Sequence, residues 1–131
     1  MSFLKLLIEA GEGKILLFVY GTLKRNEPNY RFVASQEFLG DVETKPHYKL
    51  YQLHGFPAMV EVDKDGQAIH GEIYRVDKTT LHDIDSLEGH PYLYKRQEIE
   101  VKEFNLPVQA YIYQQPVDDL QVSDPDWKSK T

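Results

Sequence analysis

A glycine-containing turn, Tyr-Gly-Thr-Leu-Lys at positions 20–24, directly follows the apolar run Ile-Leu-Leu-Phe-Val at positions 15–19. A buried strand that ends in such a turn presents consecutive backbone N–H groups at one point. These groups can bind a carboxylate or a developing oxyanion. Many strands end in Tyr-Gly without any function, so the turn predicts an anion-binding loop only when a second motif supports it.

A carboxylate lies at the end of the clearest predicted helix. Asp77 can cap this helix, apolar residues recur every three positions over 81–87, and Gly89 supplies a left-handed stop after Glu88. The carbonyl end of a helix and partial burial both disfavour a carboxylate anion, so we expect a raised pKa for Glu88 and proton exchange near neutral pH. Acidic residues at helix ends are also commonly solvated, and Asp85, one turn earlier, could repel Glu88.

Three tyrosines, Tyr20, Tyr94 and Tyr113, are candidates to line a pocket, since a phenol can pack against a substrate and hydrogen-bond its polar end. In a chain with nine tyrosines, packing inside the protein is the simpler role for each. Arg96 could bind a substrate carboxylate, but a structural ion pair is the simpler role.

The charge balance and the absence of cysteine restrict the function classes. The chain has 15 basic and 21 acidic residues, a net charge of −6 and no dense basic cluster, so nucleic acid is a poor partner. Lys24 and Arg25 beside the turn could attract an anionic substrate or be ordinary surface residues. Without cysteine there are no disulfides and no thiolate sites, and the five histidines lack the spacing of a helical metal motif. We therefore expect no metal and no cofactor.

The length of 131 residues suits one domain over 1–131 with a single hydrophobic core. We expect this core over about 15–113, an amphipathic leader over 1–13 and a polar tail over 116–131 that is loosely held from residue 118 onward. The leader is unlike a signal peptide, and no stretch approaches the roughly 18 apolar residues of a membrane span, so we expect a soluble, cytoplasmic protein without a membrane partner. The leader's apolar residues could pair with a second copy or pack on their own domain, which leaves the oligomeric state open.

The elements that must position these groups are mostly strands. Apolar runs and turn residues predict a cap at Asn29 for a short helix to about residue 35, a hairpin over 62–68, a helix over 77–88, and strands over 15–20, 37–43, 48–53, 58–62, 68–76, 98–102 and 108–113. This pattern predicts an α+β fold, a small mixed and mainly antiparallel β-barrel with flanking helices.

The motifs resemble the γ-glutamylcyclotransferase-like family. Its members share a Tyr-Gly-(Thr/Ser)-Leu loop, a Gly-x-(Val/Ile)-Tyr strand, and a catalytic glutamate before a loop that leads to a Tyr-x-Arg strand. Here these features fall at 20–23, 71–74, Glu88 and 94–96, and the resemblance spans most of residues 15–113. Leu-Lys-Arg at 23–25 with Pro-Asn at 28–29 is most similar to the γ-glutamylamine cyclotransferase branch and its small bacterial and plant relatives.

This resemblance implies an enzyme that closes a γ-glutamyl group on itself, releasing 5-oxoproline and a free amine, as a transferase or lyase without metal or cofactor. Glu88 would act as general base and acid. The amides of Gly21, Thr22 and Leu23 would bind the substrate α-carboxylate or the oxyanion, and both roles stay open. The three tyrosines named above would line the substrate pocket.

Two other function classes remain open from the sequence. The same fold could serve as a non-enzymatic module that binds a small acidic ligand unchanged, or as an enzyme acting on another amide. The substrate within the γ-glutamyl class also stays open, and the candidates are γ-glutamylamines, γ-glutamyl amino acids, γ-glutamyl-ε-lysine and a γ-glutamyl biosynthetic intermediate.

Overall fold

The computed structural model describes residues 14–129. This part of the chain contains eight strands, a 3-10 helix and an α-helix, in the order β1 (Ile15–Val19), 3-10 helix (Tyr30–Phe32), β2 (Glu37–Glu43), β3 (Tyr48–Gln52), β4 (Pro57–Glu61), β5 (His70–Val76), α1 (Lys78–Leu87), β6 (Tyr94–Ile99), β7 (Val108–Tyr113) and β8 (Gln121–Val122). The predicted leader over 1–13 lies outside the described residues. No helix in the described range is long and apolar enough to cross a membrane.

Strand β1 lies at the centre of a five-stranded sheet with the order β2-β5-β1-β7-β6. It pairs antiparallel with β5 and parallel with β7, and the other pairs of this sheet are antiparallel. Leu16 and Phe18 point into one apolar cluster, whereas Leu17 and Val19 point into another on the opposite face. The uninterrupted apolar run of β1 is therefore explained by burial on both faces of the sheet.

The two faces of this sheet are covered by different elements. On one face, Leu50 of β3 and Met59 of β4 join the same cluster as Phe18, so the three-stranded sheet β4-β3-β8 packs there. On the other face, Leu81 and Ile84 of α1 pack with Leu17 and Val19. The result is a mixed α+β fold with mostly antiparallel sheets.

The predicted barrel is wrong, because the strands form two separate sheets and the large sheet does not close. Its edge strands are β2 and β6, and an isolated bridge between Thr44 and Val101 joins the chain just beyond their ends. The predicted hairpin over 62–68 is also wrong. It connects β4 and β5, which belong to different sheets, and therefore it is a crossover between sheets.

Local signals located helix α1 correctly. The Asp77 side chain accepts a hydrogen bond from the Thr80 amide at 2.8 Å, and Gly89 adopts a left-handed φ of 65°. The 3-10 helix begins directly after Asn29, as predicted, but it ends at Phe32 rather than near residue 35, and the Asn29 side chain makes no capping bond to it. Asn29 Nδ2 instead donates to Thr22 Oγ1 at 3.0 Å.

The described part of the predicted loose tail, up to residue 129, is packed against the fold, contrary to the prediction. Strand β8 pairs with β3, and Trp127 is only 3% exposed within the cluster between the two sheets. Its indole Nε1 donates to Gln52 Oε1 at 2.8 Å.

The predicted start of strand β6 was also wrong. The strand was predicted over 98–102, but it begins at Tyr94.

Candidate active site

A cavity of about 250 Å³ opens beside the carboxyl end of β1. The turn after β1, the β3–β4 turn, the end of α1 and the start of β6 surround it. Its lining consists of Phe18, Val19, Tyr20, Gly21, Thr22, Leu23, Asn29, Phe56, Pro57, Leu87, Glu88, Leu93, Tyr94 and Tyr111. The predicted anion-binding turn and the predicted proton-transfer group therefore lie in the same cavity.

The turn after β1 is held in place from both sides. A Cβ at Gly21 would lie 2.7 Å from Pro57 Cγ, so only glycine allows this close approach. The Lys24 amide donates to the Gly21 carbonyl at 3.1 Å, and the Asn29 amide donates to the Thr22 carbonyl at 2.8 Å.

Three amides of this turn remain available to a ligand. Within residues 14–129, the backbone N–H groups of Gly21, Thr22 and Leu23 donate to no protein acceptor. All three residues border the cavity. A concave turn with unused N–H groups is suited to a carboxylate or an oxyanion.

Glu88 is the residue immediately after α1, and its backbone N–H still donates to the Ile84 carbonyl at 2.9 Å. This bond holds the residue in helical geometry. Its partly buried side chain lies against the cavity, and burial raises the pKa of its carboxyl from 4.5 to about 7. A carboxyl with this pKa exchanges protons readily near neutral pH.

The hydroxyls of Tyr20 and Tyr94 are bound to the protein backbone. Tyr20 donates to the Tyr111 carbonyl at 2.5 Å, and Tyr94 donates to the Pro57 carbonyl at 2.7 Å. Burial is the main cause that raises the pKa of both phenols well above their usual value, and the negative charges of Tyr94 and Glu88 for Tyr20, and of Glu88 for Tyr94, act in the same direction. Both tyrosines therefore stay neutral, and their donated protons tie the walls of the cavity together.

The structure separates Tyr113 from the predicted site. Tyr113 does not border the cavity, and its ring packs edge-on against Tyr94 at 5.3 Å between centroids. Tyr111 borders the cavity instead. The two tyrosines are two positions apart and point to the same face of β7, so the alternation of the strand could not distinguish them.

Beyond Tyr111, the sequence prediction missed seven lining residues: Phe18, Val19, Asn29, Phe56, Pro57, Leu87 and Leu93. Pro57 follows the β3–β4 turn and reaches Gly21 only through the tertiary fold. No local signal indicated that approach.

Asp85 belongs to a network behind the cavity wall. Arg96 donates from Nε to Asp85 Oδ1 at 2.9 Å and from its terminal nitrogen to Oδ2 at 3.1 Å, and Tyr111 donates its hydroxyl to Oδ1 at 2.7 Å. Burial alone would favour the neutral acid, but these hydrogen bonds and the positive charge of Arg96 outweigh it and lower the pKa of Asp85. Arg96 therefore forms the structural ion pair that was its simpler predicted role.

The cations beside the turn do not border the cavity. Lys24 is buried, and its Nζ donates to the Trp127 carbonyl at 2.5 Å and lies 3.3 Å from Asp126. Arg25 pairs with Glu72 at 3.1 Å and with Asp41 at 2.5 Å. Attraction of an anionic substrate by these two side chains is therefore not supported by their positions.

The described residues contain no group of three or more His, Asp or Glu that could hold a metal ion.

Comparison with known proteins assigns the chain that carries this site to a protein family. Residues 17–129 match the family described as gamma-glutamyl cyclotransferase, AIG2-like. The chain belongs to this family. The gamma-glutamylcyclotransferase family protein YtfP of Escherichia coli K12 is 34% identical over 112 residues, covering 85% of this chain and 94% of that protein.

Two further members of the cyclotransferase family extend the comparison. Gamma-glutamylaminecyclotransferase A of Danio rerio is 33% identical over 126 residues, covering 88% of this chain and 75% of that protein. The crystal structure of an AIG2-like protein from Mus musculus matches with a TM-score of 0.72 and 27% identity, covering 88% of each chain. The resemblance predicted from the sequence, including the γ-glutamylamine branch among its relatives, is confirmed.

In this member of the cyclotransferase family, the motifs behind the resemblance meet in space. The turn over 20–23, Glu88 and Tyr94 border one cavity, and the Gly-x-Ile-Tyr segment over 71–74 lies in β5, which pairs with β1. A Cβ at Gly71 would lie 2.4 Å from the Phe18 ring, so glycine there lets the β1 side chain pack.

Proposed function

We propose that this protein is a γ-glutamylcyclotransferase that converts a γ-glutamyl amine or γ-glutamyl amino acid to 5-oxoproline and a free amine. The observation that carries this proposal is the shared cavity of Glu88 and the three unused amides at Gly21, Thr22 and Leu23. Family membership supports a cyclotransferase activity in general.

Glu88 is the proton-transfer group in this proposal. Its carboxylate takes a proton from the substrate α-ammonium, and the freed amine attacks the γ-carbonyl carbon. A new C–N bond closes the five-membered ring and leaves a second exchangeable proton on the ring nitrogen. Glu88 delivers its proton to the leaving nitrogen as the original amide C–N bond breaks. Its carboxylate then takes the second proton from the ring nitrogen and passes it to the released amine, which leaves as an ammonium ion. A pKa of about 7 suits both transfers, because a general base and acid is most effective when its pKa lies near the working pH.

The turn amides supply electrostatic stabilisation of negative charge on the substrate. The same three N–H groups can hold the α-carboxylate, which would orient the amine, or the oxyanion that forms at the γ-carbonyl. Removal of one oxyanion donor commonly lowers kcat by roughly a hundredfold or more. Ring closure is intramolecular, so positioning of the glutamyl chain supplies much of the remaining barrier reduction. The scheme requires neither metal nor cofactor.

The test is an assay of 5-oxoproline by mass spectrometry over a panel of γ-glutamyl compounds, comparing the native protein with Glu88→Gln. Glutamine keeps the size of the side chain but cannot accept the proton. We expect product from the native protein and a loss of about a hundredfold or more in kcat/KM for the variant. Comparable rates in both proteins would refute the role of Glu88.

The competing function is a binding module that holds a small acidic ligand unchanged. The turn amides alone would suffice for that role. Ligand binding by calorimetry without any 5-oxoproline would favour it.

A further inference from the structure

We infer that the segment over 125–129 holds the turn over 20–23 in its active geometry, and that Lys24 is the positioning residue through which the segment acts. This inference rests on the proposed function, in which the amides of the turn bind the substrate. Neither Lys24 nor any residue of the segment borders the cavity, so their effect on a substrate passes through the turn. We refer to residues 125–129 as the brace.

The Lys24 side chain links the turn to the brace. Lys24 follows the turn directly, and its side chain is buried although it carries a charge. Its Nζ donates to the Trp127 carbonyl at 2.5 Å and lies 3.3 Å from Asp126 Oδ1. Its backbone N–H donates to the Gly21 carbonyl at 3.1 Å. Lys24 therefore closes the turn with its main chain and binds the brace with its side chain.

The brace is fixed at both of its ends. At one end, the Pro125 carbonyl accepts a hydrogen bond from the His70 amide of β5 at 2.9 Å. At the other end, the Ser129 amide donates to Glu27 Oε1 at 3.3 Å. Glu27 lies in the loop that follows the turn. The brace therefore spans from the large sheet to this loop, and it cannot shift without losing one of these bonds.

Trp127 also connects the brace to the opposite wall of the cavity. Its indole Nε1 donates to Gln52 Oε1 at 2.8 Å, and Gln52 pairs in register with Pro57. Pro57 is the residue that approaches Gly21 so closely that no Cβ would fit there. Trp127 thus holds Lys24 with its carbonyl and Gln52 with its indole. These bonds fix both sides of the contact between Gly21 and Pro57.

The burial of a lysine at position 24 favours positioning over simple stabilisation. Lysine is rarely buried, because removal of an ammonium from water costs free energy that a partner offsets only in part. The charged partner of Lys24 is Asp126, whose side chain is itself 42% exposed. Such a pair contributes little net stability, but it can specify one geometry, because a displaced turn would leave the ammonium buried without its partners.

The geometry of the turn matters because its three unused amides act only at hydrogen-bond distance from the charge that they stabilise. A displacement of about 1 Å can lower a rate by roughly a hundredfold. Glu88 lies on a different element, at the end of α1. Loss of the brace should therefore impair anion binding by the turn and leave proton transfer by Glu88 unchanged.

The decisive variant is Lys24→Met, which keeps a long side chain and removes the ammonium. We expect kcat/KM to fall by about tenfold or more for both γ-glutamyl-alanine and γ-glutamyl-butylamine, at a temperature where the variant is fully folded. The fall appears in KM if the amides bind the α-carboxylate, and in kcat if they bind the oxyanion. The pH dependence of kcat/KM should keep its native pKa, because Glu88 is untouched.

Lys102→Met is the matched control. It removes the same charge from an exposed lysine that lies 3.4 Å from Glu43, outside the cavity, and it should keep native kinetics. Trp127→Phe replaces Lys24→Met if that variant does not fold. Phenylalanine keeps an aromatic ring in the core but cannot donate to Gln52, so we expect a smaller fall in kcat/KM with the same unchanged pH dependence.

Amide hydrogen exchange, followed by NMR, keeps the test independent of turnover. The N–H groups of Lys24 and Asn29 close the turn on the carbonyls of Gly21 and Thr22. In Lys24→Met these two amides should exchange about tenfold faster, whereas the amides of β1 should keep their native rates. If native protein forms no 5-oxoproline from either compound but this local change is present, the proposed function fails and the brace stands.

Four results would overturn the role of the brace. With an active native protein, they are native kcat/KM in folded Lys24→Met, an equal loss in Lys102→Met, a loss that disappears on cooling, and a shifted pKa in the pH dependence. The first would show that the turn keeps its geometry unaided, the second a general effect of charge, the third partial unfolding, and the fourth an effect on Glu88. With an inactive native protein, unchanged exchange at Lys24 and Asn29 would overturn it.

Discussion

Replacing Glu88 by glutamine should stabilise the protein above neutral pH although it lowers kcat/KM by about a hundredfold or more. The pKa of the Glu88 carboxyl rises from 4.5 to about 7 because burial disfavours the anion. The folded protein therefore pays a cost for ionising Glu88 that the unfolded chain does not have. Glutamine has a similar shape and carries no charge at any pH, so the variant lacks this cost.

The magnitude follows from the difference between the two pKa values. Each tenfold difference in proton affinity is worth about 1.4 kcal/mol, which gives roughly 3 kcal/mol for a carboxylate fully removed from water. The Glu88 side chain is only partly buried and borders an open cavity. We therefore expect a smaller effect, about 2 kcal/mol in the free energy of unfolding.

The pH window follows from the sign of the shift. Below the unfolded pKa, both states are protonated, so native protein and Glu88→Gln should have equal stability. Between the unfolded value and about 7, the folded state keeps a proton that the unfolded state has released, and native stability falls as the pH rises. Above the folded pKa the full difference of about 2 kcal/mol should be present.

Urea unfolding at about pH 4 and about pH 8 measures this effect directly, with Glu98→Gln as control. Glu98 is an exposed glutamate on β6, so its replacement should leave the unfolding midpoint unchanged at both pH values. If Glu88→Gln gained no stability over native protein at the higher pH, Glu88 would not be desolvated in solution. The proposed pKa match to catalysis would then lose its physical basis.

Three further perturbations test other parts of the site. Gly21→Ala forces a Cβ to within 2.7 Å of Pro57 Cγ and should lower kcat/KM at least tenfold at a stability cost of about 1–3 kcal/mol, measured by steady-state kinetics and urea unfolding. Asp85→Asn should cost about 2 kcal/mol at neutral pH, because the half-buried Arg96 loses its charged partner. Since the pKa of Asp85 is lowered, this difference should shrink as the pH falls through the folded pKa, and a pH-independent cost would contradict the ion pair. Trp127→Ala should cost about 3–5 kcal/mol by thermal or urea unfolding, whereas a loosely held tail would show no change.

The elements predicted well from the sequence are those with local signals. The run of β1 is apolar at every position because both faces of the sheet are covered, and Asp77 with Gly89 marks both ends of α1. Strands β2 and β7 begin and end where predicted. Each signal lies within the element or beside it, so no knowledge of distant contacts was needed.

The failures depend on contacts between residues far apart in the chain. Trp127 is anchored by Gln52, 75 residues earlier, and Lys24 reaches the Trp127 carbonyl over 103 residues. From the sequence, a polar segment such as the tail is predicted to be unstructured, because its few apolar residues do not recur at the spacing of a helix or a strand. Its order comes from an indole that fills the space between two sheets. The nature of the 62–68 segment likewise depends on distant contacts. It connects the two sheets because β4 pairs in the small sheet and β5 pairs in the large sheet.

The candidate site also has one part that local sequence signals predict and another part that depends on distant contacts. Its two chemical motifs were readable because a strand-ending glycine turn and a helix-ending carboxylate are each local patterns, but the environment that gives them their properties is not local. Burial beside the cavity, which Pro57, Tyr94 and Tyr111 also line, raises the pKa of Glu88. The turn that carries Pro57 closes over Gly21 and lines the same cavity as Glu88. A cavity that admitted more water would return the pKa of Glu88 toward that of an ordinary carboxyl group, which would bind a substrate ammonium but would return its proton to the leaving nitrogen far less readily.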